Sequence, residues 1–437
     1  MVGEWVETTL GALTDWASGG TPIKSNPEYW DGNIPWISAS SMKSGRLSKS
    51  DRMLTSQGLE RGSRLARKGE VLMLVRGSEL HKRIPVGVAT RDVAFNQDVK
   101  ALCAKDGIVS SFLYYWLTGN EAMLLTKVEH TGIGAGKLDT DVLKNLPVYL
   151  PPIEEQHAIA KILGTLDDKI ELNRRTNETL EAMARALFKA WCVDFEPVRA
   201  KLEGRWQRGE SLPGLPAHLY DLFPARLVES ELGEIPEGWA AGSLRDLASL
   251  NPESWTKNNS PDEILYVDLA NTKWGTIEQT TKYSWNAAPS RAQRVLRPGD
   301  TLVGTVRPGN GSYSYVSSDG LTGSTGFGVL RPKFPENREM VYLAATSREN
   351  IERLAHQADG GAYPAIRPEK VIETVLVIPL LSLIAAFSEL VSPMLAIIEQ
   401  NKLESRSLAQ LRDTLLPKLI SGELRVPDAE RITGAAL

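Results

Sequence analysis

From Leu166 the chain carries a seam that advances by alternating steps of four and three. It runs Leu166, Ile170, Asn173, Asn177, Leu180, Ala184, Leu187, Trp191. A stripe of that period lies along one face of a helix and suits a partner helix. A second run has the same character: Met394, Ile398, Asn401, Leu408, Leu411, Leu415, Leu419. The spacing predicts two helices of about 35 residues, roughly 50 Å long at 1.5 Å per residue. No proline falls between Ile153 and Val193, whereas Pro393 predicts a kink or a late start in the second run, and Pro417 a break near its end. Asn173 and Asn401 hold equivalent seam positions. They either face each other, where a buried polar pair fixes register, or sit at the solvent edge. Two apolar seams of equal length in one chain most simply pack on each other, and an antiparallel pair is expected over a parallel one.

The remainder of the chain reads as short strands with some helix, and it repeats. Glu70-Val-Leu-Met-Leu-Val75 and Thr301-Leu-Val-Gly-Thr-Val306 are strand-like runs, each preceded by a glycine turn. Ser110–Thr118 and Met340–Ala355 read as helices. Asn173 and Asn401 differ by 228, an offset shared by Leu166 with Met394, Ile170 with Ile398, Leu180 with Leu408, and Leu187 with Leu415. Arg67–Leu72 lies over Arg297–Leu302, and Ile34–Ile37 over Ile264–Val267, at an offset of 230. Several matches in one order indicate duplication. The expected architecture is a duplicated pair of α/β (α+β) globular domains, separated by two long antiparallel coiled-coil helices with a pseudo-two-fold. The expected boundaries are 1–150 for the first domain, 151–196 for the first helix and 197–235 for a linker. The second domain follows at 236–378, then the second helix at 379–425 and a tail at 426–437. The linker, rich in Pro, Gly and charge, reads as an exposed connection, and the tail as frayed. Duplication also places the Gly422 region near Trp5.

Composition is ordinary for a soluble globular protein: 437 residues, 42% hydrophobic and 24% charged. The two cysteines, Cys103 and Cys192, exclude a disulfide scaffold and suit a reducing cytoplasm. The five histidines show no metal-ligand spacing. No targeting segment is visible, and the apolar run Val375–Phe387 reads as a buried strand and a core helix rather than a membrane span. The net charge of −4 hides an asymmetry. Lys24–Arg91 carries thirteen Lys and Arg against six Asp and Glu, and Asn271–Lys333 eight against three, so the rest of the chain holds −16. Aromatics interleave with both basic stretches, among them Trp36, Trp274, Tyr283, Tyr313 and Tyr315. That pattern suits a phosphate-contacting surface. Candidate DNA contacts are Lys43, Arg46, Arg76, Lys82 and Arg83 in the first stretch, and Lys273, Arg291 and Arg307 in the second.

Signals of catalysis fail. Gly132-Ile-Gly-Ala-Gly-Lys-Leu138 has three residues where a Walker loop needs four, and Leu where it needs Ser or Thr. Its counterpart, Gly360-Gly-Ala-Tyr-Pro-Ala-Ile366, lacks the lysine. These glycines read as tight loops, possible against DNA. No Asn/Asp-Pro-Pro-aromatic tetrapeptide of an adenine methyltransferase appears, nor a nucleophile motif. A self-contained DNA-modifying enzyme and a coiled-coil assembly protein without DNA recognition are the competing readings.

One long stretch carries a resemblance. Leu150-Pro-Pro-Ile-Glu-Glu-Gln156, Ile159-Ala-Lys-Ile-Leu163, Leu166-Asp-Asp-Lys-Ile170, Leu180–Phe188 and Asp194-Phe-Glu-Pro197 are similar to the central conserved region of type I restriction-modification specificity subunits. Leu415–Leu424 resembles the end of that family's C-terminal conserved region, and Leu232–Trp239 the entry to its second recognition domain. The resemblance implies two target recognition domains, each reading half of a split sequence in double-stranded DNA. It implies two helices that space the domains and dock two modification (methyltransferase) subunits, with restriction/translocase subunits joining the complex and no membrane involved. S-adenosylmethionine, ATP and Mg²⁺ then belong to partner subunits, and this chain carries no cofactor. The chain departs from the family at Pro379-Leu-Leu-Ser-Leu-Ile384, where Pro-Pro-x-x-Glu-Gln would recur.

Overall fold

The computed structural model describes residues 5–131, 134–358 and 364–434. Chain contacts divide it into two units. One joins the chain up to Leu172 with the chain from Glu404 on, and the other is Asn173–Leu403. Both long helices, Ile153–Cys192 and Leu381–Ile420, run through this division, and each has 40 residues. At 1.5 Å per residue that is about 60 Å, longer than the seam alone predicts.

Each unit contains half of each helix, running antiparallel. In the first unit Asp167 meets Arg412 at 2.7 Å and Lys169 meets Glu404 at 3.3 Å, so one numbering rises as the other falls. In the second, Asn401 Nδ2 donates to Asn177 Oδ1 at 2.8 Å, and Asn177 Nδ2 donates to the Ile398 carbonyl at 3.3 Å. Asn173 is buried and donates to the Asn401 carbonyl at 3.5 Å. The asparagines therefore face one another across the pair. Leu166, Leu408 and Leu415 are buried in the first unit with Ile170 half-buried beside them, and Ile398 is buried in the second with Leu180, Leu187 and Met394 half-buried.

The two prolines of the second helix neither delay its start, at Leu381, nor break it before Ile420. A helical proline leaves the carbonyl four residues earlier unpaired. Here those residues, Glu389 and Asp413, are exposed, as are Pro393 and Pro417, so water can take the orphaned carbonyls. The helix is long and apolar enough to cross a membrane by length and composition. Its apolar face is spent elsewhere: Leu383, Ile384, Phe387, Val391, Leu395 and Ile398 lie in the core of the second unit.

Each globular domain is built on the same plan. In the first, a sheet runs in the order Thr14–Ser18, Val99–Ala104, Val71–Leu74, Val86–Ala89, Arg46–Leu47. In the second, the order is Ala248–Leu250, Phe327–Pro332, Thr301–Gly304, Tyr313–Tyr315. The central strands Val71–Leu74 and Thr301–Gly304 are buried throughout. The turn before each needs a left-handed residue, supplied by Gly69 (φ +94°) and Gly299 (φ +93°). The second sheet of each domain holds a parallel pair in matching register, Trp36 opposite Ala94 and Tyr266 opposite Thr322. A short antiparallel ladder returns the chain to the long helix: Val6–Thr9 with Pro147–Leu150, and Ala240–Ser243 with Val375–Ile378.

Three expectations are corrected by packing. The linker is folded, with a helix at Glu196–Leu202 and a hairpin of Leu227–Ser230 with Gly233–Pro236. Trp206, Leu215, Leu219 and Phe223 enter the core of the second unit, because its apolar residues outweigh its proline and glycine. The tail is helical over Val426–Gly434, with Ala429 buried and Arg425 3.8 Å from Glu155. The helix read over Met340–Ala355 is two, Arg338–Ala345 and Arg348–Ala358, because the Ser347 hydroxyl caps a new start by accepting from the Asn350 N–H.

The motif around Gln156 has a structural basis. Its side chain is fully buried at the start of the first long helix. Nε2 donates to the Gly107 and Pro151 carbonyls at 3.0 and 2.9 Å, and Oε1 accepts from the Val109 N–H at 2.9 Å. The equivalent residue in the second copy, Ile384, is buried among apolar neighbours, so an apolar contact replaces a polar network. Gln156→Ala removes three hydrogen bonds to the backbone, leaves the buried Pro151 carbonyl unpaired, and should cost about 2 kcal/mol in urea unfolding. A cost near zero would show that water replaces the amide. The first unit also brings Gly422 (φ +75°) against the Trp5 indole, where a Cβ would sit 3.3 Å away. Joining residue 437 to residue 1 by a short Gly/Ser segment, and opening at the exposed Gly209, should keep the parent's cooperative unfolding transition. Loss of that transition, with a two-piece protein split at Gly209 still folding, would show the join to be strained.

Candidate nucleic-acid interface

In each domain the buried central strand surfaces at an arginine. After Val71–Leu74 the chain emerges at Arg76, which lies directly opposite Lys137 in the ladder of Arg76–Gly77 with Ala135–Lys137. Like charges facing across strands destabilise a sheet by a few tenths of a kcal/mol or more, roughly 0.2–1. An anion bound there would offset the cost. Lys137 also lies 3.5 Å from Asp139 and 3.9 Å from Glu129.

Lys82 follows on the turn after Ser78–His81, and Lys43 lies on the turn before Arg46–Leu47. Arg83 joins these two turns, donating through Nε to Glu79 at 3.2 Å and through Nη2 to the Met42 carbonyl at 3.3 Å. Arg76, Lys82 and Lys43 are exposed and make no ion pair among the described residues. Arg46 and Arg83 are different. Arg46 pairs with Asp168 of the first long helix, and Arg83 is spent holding the turns together. Both candidates thus also make structural ties in this chain, while their side chains stay about two-fifths accessible.

The second domain repeats the arrangement. After Thr301–Gly304 the chain emerges at Arg307, held at φ +45° with its N–H donating to the Pro364 carbonyl at 2.8 Å. A non-glycine residue in this region costs on the order of 1 kcal/mol or more, and such strain gathers at functional positions. Lys273 is exposed beside Trp274, which has φ +47° and is 59% exposed. The Trp274 N–H donates to the Gly311 carbonyl at 2.7 Å, bringing the Lys273 turn beside the one that begins at Arg307. Arg291 is linked less directly. Its carbonyl accepts from the Thr325 N–H, and the Gly326 carbonyl accepts from Thr305, two residues before Arg307. The three basic residues thus sit on neighbouring segments of one domain.

Two arginines of the second basic stretch are engaged internally. Arg331 holds the buried Asp300 at 2.9 Å and also pairs with Glu253, and Arg297 lies 3.2 Å from Glu253. Lys137 and Trp274 are absent from the candidates read from sequence. Lys137 belongs to the glycine stretch set aside as a failed phosphate loop, and a positive φ at tryptophan leaves no sequence signal. Gly132, Ile133 and Gly360–Tyr363 of the two glycine stretches lie outside the described residues.

Residues 3–182 match the family model described as a type I restriction modification DNA specificity domain. The type I restriction enzyme MjaIX specificity subunit of Methanocaldococcus jannaschii is 25% identical, over 97% of this chain and 97% of its own. Over almost its whole length this chain is similar to type I specificity subunits. The HindI specificity subunit of Haemophilus influenzae is 26% identical over 72% of this chain and 78% of that protein. The S subunit of the type I restriction-modification system of M. genitalium has the same fold, with a TM-score of 0.55 at 16% identity over 96% of each chain. Among the described residues no group of three His, Cys, Asp or Glu is placed to hold a metal ion.

Replacing Arg76 and Lys82 together by Ala should lower the slope of log affinity against log salt by about two units, one per lost phosphate contact. Anisotropy titrations of the assembled complex on DNA at several KCl concentrations measure it. Unchanged affinity and slope would place the first DNA surface elsewhere.

Proposed function

We propose that each recognition domain of this chain reads one half of a split double-stranded DNA target. The carrying observation is the equivalence of the two basic constellations. Lys43 and Lys273 occupy the same place in the repeat, offset by 230, and Arg76 and Arg307 each leave the buried central strand of their domain. Exposed lysines and arginines on these turns supply phosphate anchors, and some of the same side chains read base edges. Trp274 adds an apolar surface to the second reader.

The pair of long helices docks two modification subunits, and restriction/translocase subunits complete the assembly. S-adenosylmethionine, ATP and Mg²⁺ are carried by those partners, in the cytoplasm. An assembly protein without DNA recognition would have no use for an exposed lysine on the same turn of both domains, Lys43 and Lys273.

Co-expression with the modification subunit, in a host without its own adenine methylation, tests this reading. Sequencing should reveal methylated adenines in one bipartite motif. Replacing residues 1–150 by the same domain of a relative should change one half of that motif and leave the other. A change in both halves would refute independent reading, and scattered methylation without a motif would refute the function.

A further inference from the structure

The lysine turns of the two domains are tied directly to the long helices. Met42-Lys43-Ser44-Gly45-Arg46 and Thr272-Lys273-Trp274-Gly275-Thr276 are equivalent by the repeat. In each the glycine lies against a tyrosine of its own domain. A Cβ on Gly45 would collide with the Tyr114 hydroxyl, and one on Gly275 would come 3.0 Å from the Tyr342 hydroxyl.

Helix residues then hold each turn. In the first unit Asp168 of the first long helix pairs with Arg46, three residues from Lys43. Its neighbour Asp167 accepts from the Tyr115 hydroxyl at 2.7 Å and from Arg412 of the second long helix at 2.7 Å. Burial, with Asp167 beside it, raises the Tyr115 phenol well above its ordinary range, so it remains a donor. In the second unit Lys402 of the second long helix donates to the Gly275 carbonyl at 2.7 Å, two residues from Lys273, and is steadied by Glu399 at 2.7 Å. Different chemistry thus fastens the same turn in the two copies.

The Arg46–Asp168 pair is largely exposed, with side chains 41% and 66% accessible. Such a pair adds little to folding stability. It ties the strand that follows the lysine turn to the first long helix and so biases the direction of the turn. We propose that Asp168 and Lys402 are positioning residues that set the lysine turns on the helix pair, and so restrict the length of unread DNA between the half-sites. This rests on the DNA-reading function above.

The test uses the whole subunit with its modification subunit, mapping methylated adenines in host DNA. The variants are Asp168→Asn, Lys402→Met, the conservative Lys402→Arg, and the swapped pair Arg46→Asp with Asp168→Arg. Asp168→Asn and Lys402→Met should keep both half-sites. They should raise methylation at targets with one base pair more or fewer between them, by a few fold for Asp168→Asn, which loses an exposed ion pair, and by about tenfold for Lys402→Met, which loses a charge-assisted hydrogen bond. The swapped pair and Lys402→Arg should restore the single spacing. One unchanged spacing in every variant overturns the proposal. So does a loss of methylation that neither the swap nor Lys402→Arg repairs. Reduced methylation in the swapped pair alone, with no relaxed spacing in Asp168→Asn, would return Arg46 to the DNA surface and overturn it as well. Absence of any bipartite motif in the unmodified protein would instead defeat the underlying DNA-reading function.

Discussion

Neither long helix can bury its apolar seam alone. A 40-residue helix with a stripe of Leu, Ile and Met must find a partner, and among the described residues a seam of matching length lies on the other helix. Antiparallel pairing follows, and with it the arrangement of the chain. Leu163 and Leu166 share the first core with Leu408, Leu415 and Leu419, more than two hundred residues further on. The first recognition domain therefore completes its core only when the last part of the chain has been made. Contacts of such sequence separation make folding slow relative to a domain closed on itself.

Duplication preserved backbone geometry while the chemistry of the fastenings diverged. The parallel strand pairs keep their register and the central strands their burial. Gln156 with its three backbone bonds stands where Ile384 fills an apolar site. A polar network fixes geometry by direction and an apolar contact by volume. Either solution holds a domain to a helix, so each copy could drift in composition without losing its frame. That freedom suits a protein whose two domains read different sequences.

Net charge is a poor guide to the binding surface. Arg331, Arg297, Arg83 and Arg46 are engaged by nearby carboxylates. The exposed Lys43, Lys82 and Lys273 on the turns remain, and among the described residues they make no ion pair. Affinity for a polyanion depends on the cations left unneutralised on one face, which is a property of placement rather than of count.

The sequence alone determined the duplication, the paired helices and the buried central strands, because hydrophobic period and repeat offset are one-dimensional signals. It also located the turns at Lys43, Arg76, Lys273 and Arg307. Tertiary structure alone decided which cations face solvent, because that depends on acids distant in sequence: Asp168 lies 122 residues from Arg46. It decided that the linker and tail are folded, since their proline, glycine and charge mask a few large apolar residues that find a core elsewhere. It decided that Pro393 and Pro417 leave the helix intact, because both lie on its exposed face. Local composition carries local preference. Pairing across hundreds of residues is settled only where the chain returns to itself.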